Sequence, residues 1–328
     1  MKHVVGDVGR GMSHVRSVVG CDATNIDPCH RPWIEHRDVA GCSVEQSKLI
    51  HAQTVMDRTV GAVPAPRTSL PQMGILDGKN VLITGVLTDS SLAFGIAQLA
   101  QQEGANIILT GAGRGLSLTS RTARKFETEP EVLEFDVTDP GHVTTLRSHL
   151  ESTWGRVDAA LHAIGFAPEA CLGDDFMAAT WDDVKVALEI SAYSYKTLAE
   201  VVTPLMAESG GSVVGLDFDA TVSWPAYNWM GVAKAALEST NRYLAKTHGP
   251  NNIRFNLVAA GPIRTVAAKS IPAFAKFEDV WDDRAPLGWD VRDSSAIAKS
   301  TVAMMSDWFP ATTGSMIHVD GGYNIMGA

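Results

Sequence analysis

The run Trp224-Pro225-Ala226-Tyr227-Asn228-Trp229-Met230-Gly231-Val232-Ala233-Lys234 sets a phenol and an ammonium group seven residues apart. On a helix, seven steps of about 100° come within about 20° of two full turns, so both side chains would share one face, about 10 Å apart along the axis. A phenol beside a cation suits a reaction in which negative charge develops on an oxygen. The phenol donates to that oxygen and the cation lowers the cost of the charge. The plainer alternative is an amphipathic helix that carries a Tyr and a Lys by coincidence, and it would be the default if the pair stood alone.

Three other segments accompany it. Thr84-Gly85-Val86-Leu87-Thr88-Asp89-Ser90-Ser91-Leu92-Ala93-Phe94-Gly95 follows a short apolar run. Gly85 closes that run, a polar Ser/Asp stretch comes next, and small residues open a helix, whose N-terminal donors suit a pyrophosphate. Only Gly85 and Gly95 are glycine, so this is not the usual G-x-G-x-x-G; by itself it also reads as a plain βα turn with Ser91 near the cap. Asp136, in Phe135-Asp136-Val137, is placed to accept from an adenine amino group or simply to begin a turn. Gly165, in His162-Ala163-Ile164-Gly165-Phe166, lets backbone approach a ligand closely. His162 reads as a packed strand residue and not as a general base.

The elements that must position these residues alternate. Short apolar runs at Asn80–Thr84, Asn106–Thr110, Val132–Phe135, Val157–Ala163, Ser212–Leu216, Arg254–Val258 and Ser315–Val319 read as strands. Between them lie stretches with helical spacing, including Ser91–Glu103, Thr180–Ala207, Pro225–Thr247 and Ser294–Phe309. Strands alternating with helices imply right-handed crossovers and a parallel sheet covered on both faces. The expected fold is α/β: a Rossmann-like, doubly wound parallel sheet in one domain over 73–328. Ligands of such a sheet bind beyond the carboxyl ends of its strands, where the four segments above fall.

Residues 1–72 differ from the rest. They hold Cys21, Cys29 and Cys42, five of the ten histidines, and 8 basic against 7 acidic side chains, and they end in a Pro-rich run from Pro64 to Pro71. No sustained period runs through them, so the expectation is a disordered or loosely structured extension with a linker at about 61–72. A zinc site from Cys21, Cys29, His30 and Cys42 would lack the close Cys pair. A secretory signal fails on Asp7, Arg10 and Arg16 and on the missing apolar core. The reading favoured is that Met73 is the natural start. The whole chain of 328 residues has 27 Lys+Arg against 37 Asp+Glu, a net charge of −10, with 45% apolar and 20% charged residues. That composition excludes a disordered or fibrous chain, and the acidic balance argues against a broad nucleic-acid surface. No apolar stretch is long enough to span a membrane. The class expected is a cytoplasmic enzyme.

Taken together, the blocks GILDGKNVLITG, TDSSLAF, HAIGF, ISAYSY, DFD, PAYNWMGVAK, NLVAAGPIRT and RAPLGW, with Phe309–Gly314, closely resemble the NADH-dependent enoyl-acyl carrier protein reductases of bacterial fatty-acid synthesis. The likeness is to the mycobacterial type targeted by isoniazid. It runs over essentially all of 73–328, and the Tyr-x(6)-Lys spacing sets this group apart from most short-chain dehydrogenases. The resemblance implies that Tyr227 donates to the thioester carbonyl of a trans-2-enoyl substrate carried on acyl carrier protein. It implies that Lys234 holds the nicotinamide ribose and that Phe218 lies beside nicotinamide and substrate. It puts Gly85, Ser91, Leu92, Asp136, Val137, Ile164, Gly165, Lys234, Ile263 and Thr265 on positions that contact NADH. It also implies a homotetramer, while the residues themselves suggest no catalytic metal and the composition no nucleic-acid or membrane partner. One departure is Ala112, where the mycobacterial type has an aromatic side chain against the adenosine. A second is the segment Val266–Val280, with Ile271, Phe274 and Phe277 as its apolar wall and Pro272 limiting its helix. It is shorter than its mycobacterial counterpart, which implies a preference for shorter acyl chains. Two rivals are another short-chain reductase, NADPH-dependent and acting on a carbonyl or a different enoyl substrate, and a non-catalytic nucleotide-binding protein.

Overall fold

The computed structural model describes residues 73–271 and 274–327. Among the described residues the strands are β1 (Asn80–Thr84), β2 (Asn106–Gly111), β3 (Glu131–Glu134), β4 (Ala159–His162), β5 (Gly211–Asp217), β6 (Ile253–Ala260) and β7 (Met316–Val319). The α-helices are α1 (Leu92–Gln102), α2 (Arg114–Ala123), α3 (Pro140–Trp154), α4 (Trp181–Leu188), α5 (Ser194–Met206), α6 (Asn228–His248), α7 (Phe274–Arg284) and α8 (Ser295–Met305). Every apolar run read as a strand forms one. All neighbouring strands are parallel, in the order β3-β2-β1-β4-β5-β6-β7. The winding reverses between β1 and β4, so a crevice opens at their carboxyl ends.

The two-residue period of the strands builds both faces. Val81 and Ile83 of β1 pack on one side with Ile96 and Ala97 of α1 and Ile297 and Val302 of α8. Leu82, between them, packs on the other with Leu146 of α3, Leu198 of α5 and Leu237 of α6. A Leu or Ile buried this completely contributes about 1.5–3 kcal/mol, so both faces of the sheet are firmly covered.

Two helices depart from expectation at the site. The stretch read as one helix over Thr180–Ala207 begins with a capping box at Thr180 and Asp183 but widens into a π-helical turn at Glu189–Tyr193. Within that turn Ser191 Oγ accepts from Phe166 N (2.9 Å) and donates to Phe166 O (2.8 Å), while Ser194 Oγ donates to Ile190 O (2.6 Å). The two Ser191 bonds tie this turn to the loop after β4, and such turns recur at functional positions.

The second departure corrects the helical-face argument. The helix expected from Pro225 begins at Asn228, and Tyr227 precedes it with φ −90° and ψ −25°. Ala226 (φ 56°) and Asn228 (φ 48°) on either side are left-handed, which no run of α-helix tolerates. Tyr227 is therefore aimed by a turn and not by two helical turns shared with Lys234. The cysteine and histidine set of Cys21, Cys29, His30 and Cys42 lies outside the described residues. No helix among the described residues is long and apolar enough to cross a membrane.

Candidate active site

A cleft of about 410 Å³ opens at the carboxyl ends of β1, β2, β3 and β4. Of the ten residues named as cofactor contacts, Gly85, Ser91, Leu92, Asp136, Val137, Ile164, Gly165 and Thr265 line it. Ile263 does not, because its side chain is buried in the core beneath. Lys234 lies behind the wall at Leu216. Thr110, Gly111, Phe135, Ile190 and Leu216 also line the cleft and were not singled out in the sequence. Thr110 and Gly111 end a legible strand, so their position was available as a signal. Ile190 was hidden inside an apparently unbroken helix.

The floor of the cleft is fixed where β1 meets β4. Thr84 Oγ1 donates to Leu161 O and accepts from Ala163 N, each at 3.0 Å. At the next residue a Cβ would stand 2.1 Å from Ala163 O, and φ is +81°, so only glycine fits at Gly85. Gly165 differs: an added Cβ there would meet protein no closer than 3.8 Å, so the space in front of it is left for something other than the chain. Ser91 caps α1 in an extended conformation, and its Oγ accepts from Thr88 N (3.0 Å) to shape the turn. The open helix N-terminus then faces the cleft with no acidic residue in its first turn, a site for anionic phosphates. Asp136 Oδ1 accepts from Thr138 Oγ1 (2.7 Å) and Thr138 N (2.9 Å), which hold its carboxyl below the usual range. Asp136 thus starts a turn and also lines the cleft. These features fit a dinucleotide.

Beyond Leu216 lie the candidate catalytic groups. Lys234 Nζ donates to Leu216 O at 2.9 Å and stands 3.8 Å from Asp217 Oδ1, too far for a hydrogen bond. Neither Asp217 oxygen has a hydrogen-bond partner among the described residues, and the side chain is fully buried. Burial pushes this carboxyl up to about 7, with the Lys234 ammonium pulling it back. Burial also pushes Lys234 down, opposed by Asp217. Tyr227 is 7% exposed, and burial followed by the Asp217 charge pushes its phenol well above the usual value, so it keeps its proton.

The Tyr227 ring meets Phe218 edge-on at 5.0 Å between centroids. Phe218 in turn packs on Trp224 (4.9 Å), and Trp281 of α7 stacks on Tyr323 (3.8 Å). His162 is fully buried and donates from Nε2 to Ser194 Oγ (2.7 Å), since that hydroxyl spends its own proton on Ile190 O. Burial, and then the Lys234 charge, push the His162 imidazole down to about 3. It stays neutral and packed, as expected from its strand position. No cluster of metal-ligating side chains occurs among the described residues.

A phenol that keeps its proton, an ammonium behind the cleft wall and a crevice for a dinucleotide suit hydride transfer coupled to oxyanion stabilisation. Comparison with known proteins agrees. Residues 85–324 match the model of the enoyl-(acyl carrier protein) reductase family. The chain is 46% identical over 263 residues to an NADH enoyl-[acyl-carrier-protein] reductase of Mycolicibacterium smegmatis, which covers 76% of this chain and 97% of that one. It is 42% identical to the enzyme of the same name from Mycobacterium avium, with the same coverage. Against the Escherichia coli NADH enoyl-[acyl-carrier-protein] reductase it is 34% identical, over 77% of this chain and 97% of that one.

Proposed function

The chain belongs to the enoyl-(acyl carrier protein) reductase family, and from that premise we propose how its own residues perform the reaction. It is an NADH-dependent enoyl-[acyl-carrier-protein] reductase, an oxidoreductase of fatty-acid biosynthesis. NADH, when bound, supplies a hydride to the β-carbon of a trans-2-enoyl thioester. Gly85, Ser91 and Leu92 would hold its phosphates at the start of α1, Asp136 and Val137 would border its adenine, and Ile164, Gly165 and Thr265 would complete the contacts, with Ile263 supporting them from the core beneath. Lys234 holds the nicotinamide ribose.

As the β-carbon gains hydride, negative charge moves to the thioester oxygen. Tyr227 donates its phenolic proton to that oxygen in a hydrogen bond and holds the enolate. The α-carbon then takes a proton from Tyr227 or from water. Phe218 and the aromatic side chains behind it keep water from the reacting carbons and so strengthen the hydrogen bond. The observation that carries this division of labour is the Lys234–Leu216 contact, which sets an ammonium behind the cleft wall, while the Tyr227 phenol stays protonated. It is tested by NADH titration: Lys234→Ala should weaken NADH binding more than tenfold, and Tyr227→Phe should leave it within about twofold. Equal losses would defeat the assignment.

We also propose that residues 73–328 form the reductase domain and that 1–72 are dispensable to it. The mycobacterial relatives are covered almost end to end by about three quarters of this chain, which supports the division. The enzyme acts as a cytoplasmic homotetramer on carrier-bound substrate, with no nucleic-acid or membrane partner. Light scattering that gave a stable monomer or dimer would count against the tetramer.

A further inference from the structure

Tyr227 has an unusual setting. Its two chain neighbours, Ala226 and Asn228, are both left-handed, a conformation that L side chains rarely adopt and that persists only where surrounding contacts impose it. Those contacts come from one short segment after β4. Gly173 N donates to Ala226 O at 2.9 Å, immediately before the tyrosine. Asn228 Nδ2 donates to Asp175 O at 3.1 Å, immediately after it. Trp229 Nε1 donates to Phe176 O at 3.0 Å, and the two rings stack at 4.6 Å and 12°. Residues 173–176 thus run beside 226–229 and tie it on both sides of Tyr227. The tie has a cost: Asn228 Oδ1 is buried with no partner among the described residues.

The Tyr227 hydroxyl itself has no hydrogen-bond partner among the described residues. Nothing at the tip of the side chain aims it, so its direction is set by the backbone at 226–228 and by the edge contact with Phe218. We propose that residues 173–176 are a positioning strap for Tyr227, and that Asn228, through its side-chain bond to Asp175 O, is the positioning residue that aims the phenol. This rests on the reading of Tyr227 as the oxyanion donor.

The test is a double-mutant cycle on turnover with a trans-2-enoyl thioester, with NADH affinity and melting temperature read alongside. Asn228→Gly keeps the left-handed backbone readily and removes the bond to Asp175. Alone it should lower kcat at least tenfold, change KM less than threefold and leave NADH affinity within twofold. In a Tyr227→Phe background the same change should lower kcat less than twofold further, because there is no hydroxyl left to aim. If Asn228→Gly does not yield folded protein, Trp229→Phe carries the same cycle, since it keeps the ring stack and loses the bond to Phe176 O. Unchanged kcat in the single variant, or an equal loss in both backgrounds, would overturn the strap. No loss of kcat in Tyr227→Phe itself would overturn the site reading instead, and the two failures are distinguishable.

Discussion

Replacing Tyr227 by phenylalanine separates what the hydroxyl does for turnover from what the ring does for the fold. A hydrogen bond to a charged acceptor is worth about 1.5–3 kcal/mol. At about 1.4 kcal/mol per decade, its loss at the enolate stage lowers kcat by roughly 10- to 150-fold. The fold should respond little. The residue is 7% exposed and its hydroxyl has no partner among the described residues, so in the free enzyme phenylalanine forfeits no hydrogen bond within the protein. The edge contact with Phe218 at 5.0 Å is kept. Melting temperature should therefore hold within a few degrees while turnover falls. The assay is loss of NADH absorbance with a saturating trans-2-enoyl thioester, paired with thermal denaturation of the same preparation. A kcat within twofold of the parent would refute the oxyanion role. A melting temperature lower by more than about 4 °C would show that the hydroxyl is a structural hydrogen-bonding group after all.

Asp217→Asn should flatten the pH dependence of stability. A carboxyl raised by burial to about 7 from 3.8 binds more protons folded than unfolded, so its stabilising contribution is full below about 4 and is lost as pH rises to about 7. Melting temperature against pH should thus slope less in the variant across that window, and identical slopes would exclude Asp217 as their source. On the reading that Val266–Val280 is a shorter cover than in the mycobacterial type, chain-length preference should favour short acyl groups, because distal methylenes left in water forgo roughly 0.8 kcal/mol each. A kcat/KM still climbing from C12 to C16 trans-2-enoyl thioesters would sink that expectation. The chain beginning at Met73 should match the full chain in specific activity and, within about 2 °C, in melting temperature, and a fall of many degrees would show that residues 1–72 stabilise the reductase.

Much of this was legible in the residues. The β-branched runs carry their own signal: Val81, Leu82 and Ile83 are buried on alternating faces, so the strand, its period and its double coverage can all be read from five letters. Gly85 was legible for a similar reason, because a residue that must take φ +81° within 2.1 Å of a carbonyl has few alternatives to glycine. The π turn at Glu189–Tyr193 was not legible. It is sustained by Ser191 reaching Phe166, twenty-five residues away, and helical spacing on its own gives no hint of such a bond. The start of α6 failed for the same reason. Composition at Pro225–Tyr227 allows a first helical turn, and the bonds from Gly173 and to Asp175 that accompany the left-handed alternative come from 53 residues earlier in the chain.

The features that escaped the sequence share a physical cause. Asp217 and Lys234 are both displaced toward neutrality, which means that burial outweighs their attraction at 3.8 Å. A pair in that state is not a stability device, because a buried ion pair without hydrogen bonds between its members returns less than its desolvation costs. Ala226 and Asn228 add backbone strain, and Asn228 Oδ1 and His162 Nδ1 add buried acceptors that have no partner among the described residues. All of these lie within a few residues of Tyr227 and Lys234 in the chain or in contact with the elements that carry them. Strand and helix signals report what lowers free energy locally, so they describe the sheet well and the site poorly. A site that must hold charge and a fixed phenol away from water raises free energy locally, and the two packed faces of the sheet offset it.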